Sequence, residues 1–119
     1  MSTTDPRSGI HHSWGQGSSG WGEEMDNNLK RIGRFSFHLS VKDRSLTSPP
    51  SSPADGDSYL VSAGATGLWA AKDSQIAVWE SASSAWIFGQ PRLGWMAFIE
   101  DEEVLVVYKS TGWSAGLSV

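Results

Sequence analysis

Five of the seven tryptophans fall within the 45 residues from Trp69 to Trp113, in or beside short apolar runs that turn residues separate. The runs IAVW (76–79) and AWIF (85–88) flank ESASS, and the runs WMAFIE (95–100) and VLVVYK (104–109) flank DEE. Short apolar runs around small polar turns are typical of β-hairpins. We therefore predict two hairpins in this part of the chain.

The rest of the C-terminal region also has strand patterns. FSFHLSV (35–41) alternates apolar and polar residues, SYLV (58–61) starts another apolar run, and STGW (110–113) turns the chain into a short last strand. No long helical pattern separates these runs. We therefore predict a mainly β domain over 35–119, with a small antiparallel sheet that curls into a barrel or sandwich.

Residues 1–20 have a different composition, rich in Ser, Gly and Thr, with Ile10 and Trp14 as isolated large apolar side chains. Such a segment buries too little apolar surface to offset the entropy lost on ordering. We predict an extended arm that is disordered unless it docks on another protein. A flexible tail without a partner is the alternative.

An amphipathic helix is predicted over 21–34, because Trp21, Met25, Leu29 and Ile32 recur at helical spacing. Acidic residues precede basic ones along this segment, which complements the helix dipole, and Gly33 is a suitable end. A single apolar stripe needs a partner surface, either the protein's own sheet or copies of the same helix. We expect the assembly anchors to be the large apolar residues of the arm and helix: Ile10, Trp14, Trp21, Met25, Leu29 and Ile32.

The composition argues against several classes of function. The net charge is −4, cysteine is absent, and no apolar run is long enough to span a bilayer. We expect EDEE (100–103) and DGD (55–57) to be solvated turns. Any metal binding by the His11–His12 pair would be adventitious, and His38 is expected to be exposed on a strand. No nucleophile elbow, P-loop or dinucleotide fingerprint occurs. We expect no enzyme activity, no cofactor, no metal site and no binding to nucleic acid.

The tryptophans could serve either the core or a ligand. Trp79, Trp86 and Trp95 lie inside strand patterns and are predicted to be core residues. Trp69 and Trp113 lie beside glycines in turns and are predicted to reach the surface, where an indole face could stack on a sugar ring.

The blocks PADGDSYLV, AGATGLWA, QIAVW and GW…FIEDE follow one another in this order within residues 40–113. Through these blocks the segment resembles a family of small domains in tail-fibre and tail-spike proteins of bacteriophages, prophages and gene transfer agents. Ser74 stands in KDSQ where the resemblance leads us to expect glycine. The resemblance implies a module of the phage tail without catalytic residues, and by analogy with fibres a homotrimer.

The function expected from these features is that of a structural virion protein of a phage tail. Its arm and helix would attach it to baseplate, tail or fibre proteins, and its β domain would project. Two alternatives stay open. One is a module that recognises glycans on the host surface through Trp69 and Trp113, and the other is a capsid decoration or head-fibre protein.

Overall fold

The computed structural model describes residues 2–14, 21–36 and 39–118, and the chain divides into two units, Met1–Phe37 and His38–Val119. Residues 15–20 of the predicted arm, and Phe37 and His38 of the predicted first strand, lie outside the described residues. The elements in chain order are β1 (Thr3–Thr4), β2 (His11–His12), α1 (Trp21–Arg31), a π-helical turn (Ile32–Ser36), β3 (Ser40–Val41), β4 (Ser58–Leu60), a 3-10 turn (Gly67–Trp69), β5 (Ile76–Glu80), β6 (Ala85–Gly89), β7 (Met96–Ile99), β8 (Val104–Lys109), β9 (Gly112–Trp113) and β10 (Leu117–Ser118).

The predicted helix is present, but it does not end at Gly33. Glu23 and Glu24 lie in its first turn and Lys30 and Arg31 in its last, as the dipole favours. The chain then continues through the π-helical turn to Ser36. The Arg31 guanidinium lies 5.4 Å from the centre of the buried Phe35 ring, and this contact favours a helical path past the glycine.

The first predicted strand is therefore shorter than FSFHLSV suggests. Phe35 and Ser36 belong to the π-helical turn, and only β3 is extended in the described part of this segment. β3 pairs with β7 in parallel, with Ser40 opposite Phe98 and Val41 opposite Ile99. The alternation of apolar residues correctly predicted that Val41 is buried. It did not predict that the first residues of the run belong to the π-helical turn.

Both predicted hairpins are confirmed, as β5–β6 and β7–β8. One sheet has the order β10-β8-β7-β3, with β9 also paired to β8, and a second has the order β4-β5-β6. All pairs other than β3–β7 are antiparallel. The unit is mainly β, and the described strands form separate sheets without closing into a barrel. This arrangement is compatible with a sandwich.

The chain just after β3 joins the two sheets. The Lys42 backbone N–H donates to the Ser58 carbonyl at 2.8 Å, and the Leu60 N–H donates to the Asp43 carbonyl at 3.1 Å. β3 and its continuation therefore pair with β7 on one side and β4 on the other. This places the Asp43–Arg44 segment between the two halves of the β unit.

The sheet β4-β5-β6 is buried on both faces. One face holds aliphatic side chains, and Leu60, Ile76 and Val78 are almost inaccessible to solvent. The opposite face holds an aromatic cluster, which we define by its members Tyr59, Val61, Trp69, Ala77, Trp79, Trp86 and Phe88. Residues two apart on a strand share a face, which is why Trp86 and Phe88 meet Tyr59 and Ala77 there.

Trp69 lies at the centre of this aromatic cluster, and the prediction that it reaches the surface is wrong. Its ring is fully buried, with centroids 5.2 Å from Trp86 and 5.7 Å from Tyr59. The 3-10 turn that follows Gly67 directs the indole inward and leaves the neighbouring Leu68 exposed. A turn residue on a short helical segment can be a core residue, which the glycine beside it did not reveal.

Arg44 fixes the end of the β unit where β7 turns into β8. Its guanidinium binds both carboxylate oxygens of Glu102, at 2.7 and 2.8 Å, and donates to the carbonyls of Ser114 and Ala115 at 2.9 and 2.6 Å. Such fork-shaped binding is specific to arginine. The segment after β3, the β7–β8 turn and the chain before β10 are thus held by one side chain.

Substitution of Trp69 tests its place in the core. Trp69→Ala removes the central ring of the aromatic cluster and is expected to lower the free energy of unfolding by roughly 3–5 kcal/mol, measured by urea denaturation. Leu68→Ala is the matched control, because it truncates the exposed neighbour and should change stability by less than about 0.5 kcal/mol. Equal effects of the two substitutions would contradict the buried position of Trp69.

The Arg44–Glu102 pair makes stability depend on pH. The hydrogen bonds from Arg44 hold the pKa of Glu102 below its usual value, so the ionised carboxylate stabilises the fold. This contribution is fully present above pH 4.3, which is about the pKa of Glu102 in the unfolded chain. It is lost as the pH falls through the lower pKa that Glu102 has in the folded protein. Glu102→Gln should therefore destabilise the protein at pH 7, by less than about 1 kcal/mol because the pair is partly exposed.

The measurement is urea unfolding of Glu102→Gln and the parent protein at pH 7 and pH 3. The difference between them should shrink at the lower pH. Glu103→Gln, which removes an exposed carboxylate from the same turn, is the control and should show no such trend. A difference for Glu102→Gln that stays constant with pH would contradict the assignment.

Candidate interaction surfaces

In the N-terminal unit the polar side of α1 holds the first segment of the chain. Thr3 and Thr4 pair with His12 and His11 in a two-stranded ladder. Asn28, buried on the helix, donates its side-chain N–H to the His11 carbonyl at 2.8 Å and accepts the His11 backbone N–H at 2.7 Å. This pair of bonds satisfies both backbone groups of one residue, as a neighbouring strand would.

Glu24 and Arg31 extend this contact along the same side of the helix. The Glu24 carboxylate accepts the Ser2 hydroxyl at 2.7 Å and the Trp14 indole N–H at 2.6 Å, and the Arg31 Nε donates to the Ser8 carbonyl at 3.0 Å. The bonds from Ser2 and then Trp14 lower the pKa of Glu24. Positions 24, 28 and 31 lie on one helix face, so these polar contacts form a continuous row.

A tight turn between β1 and β2 allows this arrangement. The Asp5 carboxylate accepts the backbone N–H groups of Arg7 and Ser8 at 2.8 Å. Gly9 has φ +78°, and a Cβ there would lie 2.9 Å from the Arg31 guanidinium. The left-handed backbone conformation therefore favours glycine at this position.

The described residues of the arm, 2–14, differ from the prediction of a segment without structure of its own. Few apolar side chains are available there, but the helix supplies polar partners for the backbone instead. Ile10 and Trp14, the two predicted anchors of the arm, are half-buried, and Trp14 is bound to Glu24. The feature of the sequence that corresponds to these contacts is the helical spacing of Glu24, Asn28 and Arg31. Its meaning is recognisable only when the segment that these side chains bind is known.

The apolar side of α1 is exposed. Trp21, Met25 and Leu29 leave 57%, 37% and 61% of their surfaces accessible, and Ile32 is half-buried. We call these four residues the helix stripe. The sequence predicted that the stripe would need a partner surface, and the structure instead uses the polar side of the helix for the contacts just described. The helix stripe is therefore largely exposed.

A second apolar surface, not predicted from the sequence, lies on β7, β8 and β10. Side chains that alternate with the buried Ala97, Ile99 and Val106 face the opposite way. We define this outer sheet face by Met96, Phe98, Leu105, Val107 and Leu117. Met96 lies opposite Val107, and Leu105 lies opposite both Phe98 and Leu117. The continuous apolar run VLVV was a signal for it, since such runs are typical of strands with two apolar faces.

The two tryptophans proposed for sugar stacking are not brought together as a platform. Trp69 is buried and offers no face to a ligand. Trp113 is half-buried, its indole N–H donates to the Ser74 carbonyl at 2.8 Å, and its ring meets that of Tyr108 edge-on at 5.2 Å. Of the three predicted core tryptophans, Trp86 is buried, whereas Trp79 and Trp95 are half-buried.

The acidic motifs are used within the fold. The Asp55 carboxylate accepts the Ser81 backbone N–H at 3.0 Å, and Asp57 accepts the Ala54 N–H at 2.9 Å and lies 3.1 Å from the Lys42 ammonium. In EDEE, Glu100 accepts the Ser40 hydroxyl and Glu102 binds Arg44. Within residues 2–14, 21–36 and 39–118, no three His, Cys, Asp or Glu side chains are grouped to hold a metal ion. In the same ranges no helix has the length and apolar character needed to cross a membrane.

Substitution of Asn28 tests how the arm is held. Asn28→Ala leaves the half-buried N–H and C=O groups of His11 without their Asn28 partners, at a cost of roughly 1–3 kcal/mol. Hydrogen exchange at the His11 amide should become about tenfold to a hundredfold faster, as measured by NMR. Asn27→Ala, at the exposed neighbouring position, is the control. Unchanged exchange at His11 in Asn28→Ala would contradict this role of Asn28.

Comparison with known proteins identifies one family. Residues 25–114 match the family described as protein of unknown function (DUF2793). The match begins inside α1 and includes β3 to β9, while β1, β2 and Trp21 lie before it. No curated protein matches the chain. Since the match extends over most of the 119 residues, the chain belongs to the DUF2793 family.

Proposed function

We propose that this protein is a structural component of a phage tail fibre or tail spike, without enzymatic activity. It attaches through its N-terminal unit to a neighbouring tail protein, and its β unit projects from that attachment. The sequence blocks in 40–113 that resemble tail-fibre and tail-spike domains support the location. The exposed helix stripe supports the mode of attachment.

The helix stripe is the observation that carries the proposal. Trp21, Met25 and Leu29 are large apolar residues on one side of a helix whose polar side is already occupied. With these exposures and side chains of roughly 150–250 Å², the stripe presents about 300 Å² of apolar surface. At about 25 cal/mol per Å² its burial would stabilise a complex by up to roughly 7 kcal/mol. Apolar anchors at helical spacing are typical of a helix that binds in a groove of its partner.

The contacts of the arm with α1 support the same reading. An arm held along the polar side by Glu24, Asn28 and Arg31 keeps the helix formed before its partner arrives. An isolated helix of eleven residues is marginal in water. Binding by a preformed helix loses less conformational entropy than binding by a disordered peptide.

The glycan-binding alternative is weakened by the position of Trp69. With that ring in the core, Trp113 alone remains of the two proposed stacking residues, and its N–H is already bound within the fold. A capsid decoration or head-fibre protein could attach through the same helix stripe. The two hypotheses are therefore distinguished by where the protein lies in the particle.

The test is incorporation into particles made by a producing host. Trp21→Glu with Leu29→Glu places two carboxylates on the helix stripe, and this variant should be lost from purified particles when they are analysed by mass spectrometry. Asn27→Glu, which adds a carboxylate at an exposed position off the stripe, is the control and should be retained. Immunogold electron microscopy of particles carrying the parent protein should label the tail.

Three results would overturn the proposal. Label on the capsid would place the protein in a head structure. Retention of the stripe variant at the level of the parent protein would remove the helix stripe as the attachment surface. Absence of the parent protein from all particles would exclude a virion component.

A further inference from the structure

We propose that the outer sheet face binds the same face of a second copy of this chain, with a two-fold axis running across the strands. This inference concerns the β unit and goes beyond the proposed function, which uses the helix stripe. It is carried by the apolar residues of the face and by the opposite charges at its two ends.

The centre of the outer sheet face is apolar and continuous. Met96 and Leu117 leave 57% and 65% of their surfaces exposed, and the side chains of Phe98, Leu105 and Val107 between them are half-buried. The strand register brings these side chains together, because directly opposite residues on neighbouring strands point to the same side. A contiguous apolar patch of this size is often a binding site.

One end of this face is basic. Lys109 follows Val107 at a spacing of two along β8, so the two side chains share a face. Met96 lies opposite Val107, and Lys109 therefore stands at the Met96 end. The Lys109 residue is exposed to solvent.

The other end is acidic. Glu100 follows Phe98 at the same spacing, and its carboxylate accepts the hydroxyl of Ser40, which lies opposite Phe98. Glu100 is also the first of four consecutive carboxylates in the β7–β8 turn. Two basic side chains of the segment after β3, Lys42 and Arg44, are bound to Asp57 and Glu102. The end near Glu100 thus keeps an excess of negative charge.

These charges select the symmetry of the pair. An axis that runs across the strands places the Lys109 end of one copy against the Glu100 end of the other, twice per pair. A two-fold or three-fold axis parallel to the strands would instead bring lysine against lysine and carboxylate against carboxylate. The homotrimer implied by the resemblance would have that unfavourable arrangement if its copies met through this face about an axis parallel to the strands.

The size of the face predicts a weak pair. The apolar residues supply roughly 300 Å² per copy, and with a polar rim the pair would bury on the order of 1,000 Å² in total, the low end for specific complexes. We expect a dissociation constant of roughly 10–100 µM. Sedimentation equilibrium of the full chain over this concentration range should show a monomer and a pair.

A matched pair of leucine substitutions locates the interface. Leu117→Glu puts a carboxylate on the outer sheet face, and Leu68→Glu makes the same change at a leucine of similar exposure, 71%, in the 3-10 turn. Leu117→Glu should weaken association at least tenfold, and Leu68→Glu should leave it unchanged. Because both leucines are exposed, circular dichroism should show both variants folded.

Charge reversal tests the orientation of the two copies. Lys109→Glu alone and Glu100→Lys alone should each weaken association about tenfold, because each brings like charges together at both ends. An equimolar mixture of the two variants should recover the affinity of the parent protein, since every contact between copies is then again between opposite charges. An axis parallel to the strands predicts a different pattern, because the parent protein would then already have like charges opposed at both ends. Neither single variant would associate more weakly than the parent protein, and the mixture would associate more tightly than it.

The proposal is overturned by a monomer at all concentrations, by a trimer, or by equal effects of Leu117→Glu and Leu68→Glu. It is also overturned by single charge variants that associate as strongly as the parent protein, or by a mixture that does not recover. Association through the helix stripe would appear as a pair insensitive to Leu117→Glu. Each of these results is independent of whether the protein is found in phage tails, so the two proposals fail separately.

Discussion

The packing of the Trp69 ring against Tyr59, at a tilted angle, and against Trp86, edge-on, is the interaction on which the β unit depends. The sheet β4-β5-β6 is narrow, and its strands have few large aliphatic residues on the cluster side. One fully buried indole reaches both β4 and β6, which do not pair with each other. Trp79 adds a further edge-on contact to Trp86. A chain of modest apolar content can thus form a core because its aromatic residues bury a large area each.

The N-terminal unit distributes its contacts differently. There the internal contacts described are mostly polar, with hydrogen bonds from Glu24, Asn28 and Arg31 to the preceding segment, while the apolar residues of α1 remain exposed. Polar contacts of this kind contribute little net free energy each and serve mainly to fix geometry. The unit is therefore organised to present an apolar surface rather than to bury one. The β unit buries most of its apolar residues and leaves the outer sheet face partly exposed.

The sequence predicted the strands better than it predicted their surroundings. Both hairpins and the helix followed from periodicity, because these patterns report local geometry. The burial of Trp69, the parallel pair β3–β7 and the Arg44 contacts depend on residues far apart in the chain, and no local pattern reports them. Ser74 is an intermediate case. Its φ of +68° lies in the left-handed region, so the expectation of glycine at this position was physically sound, and the serine adopts the same turn at some cost in strain.

The sheet that carries the outer sheet face has few free backbone groups at its edges. At one margin β10 has only two residues, and at the other β3 and its continuation are already paired with β7 and β4. An edge strand that is short or already paired offers few free backbone groups to an incoming strand. This sheet is therefore a poor template for adding further strands. Association of copies through this sheet would therefore end at a small closed oligomer and would not extend into a continuous β-ribbon.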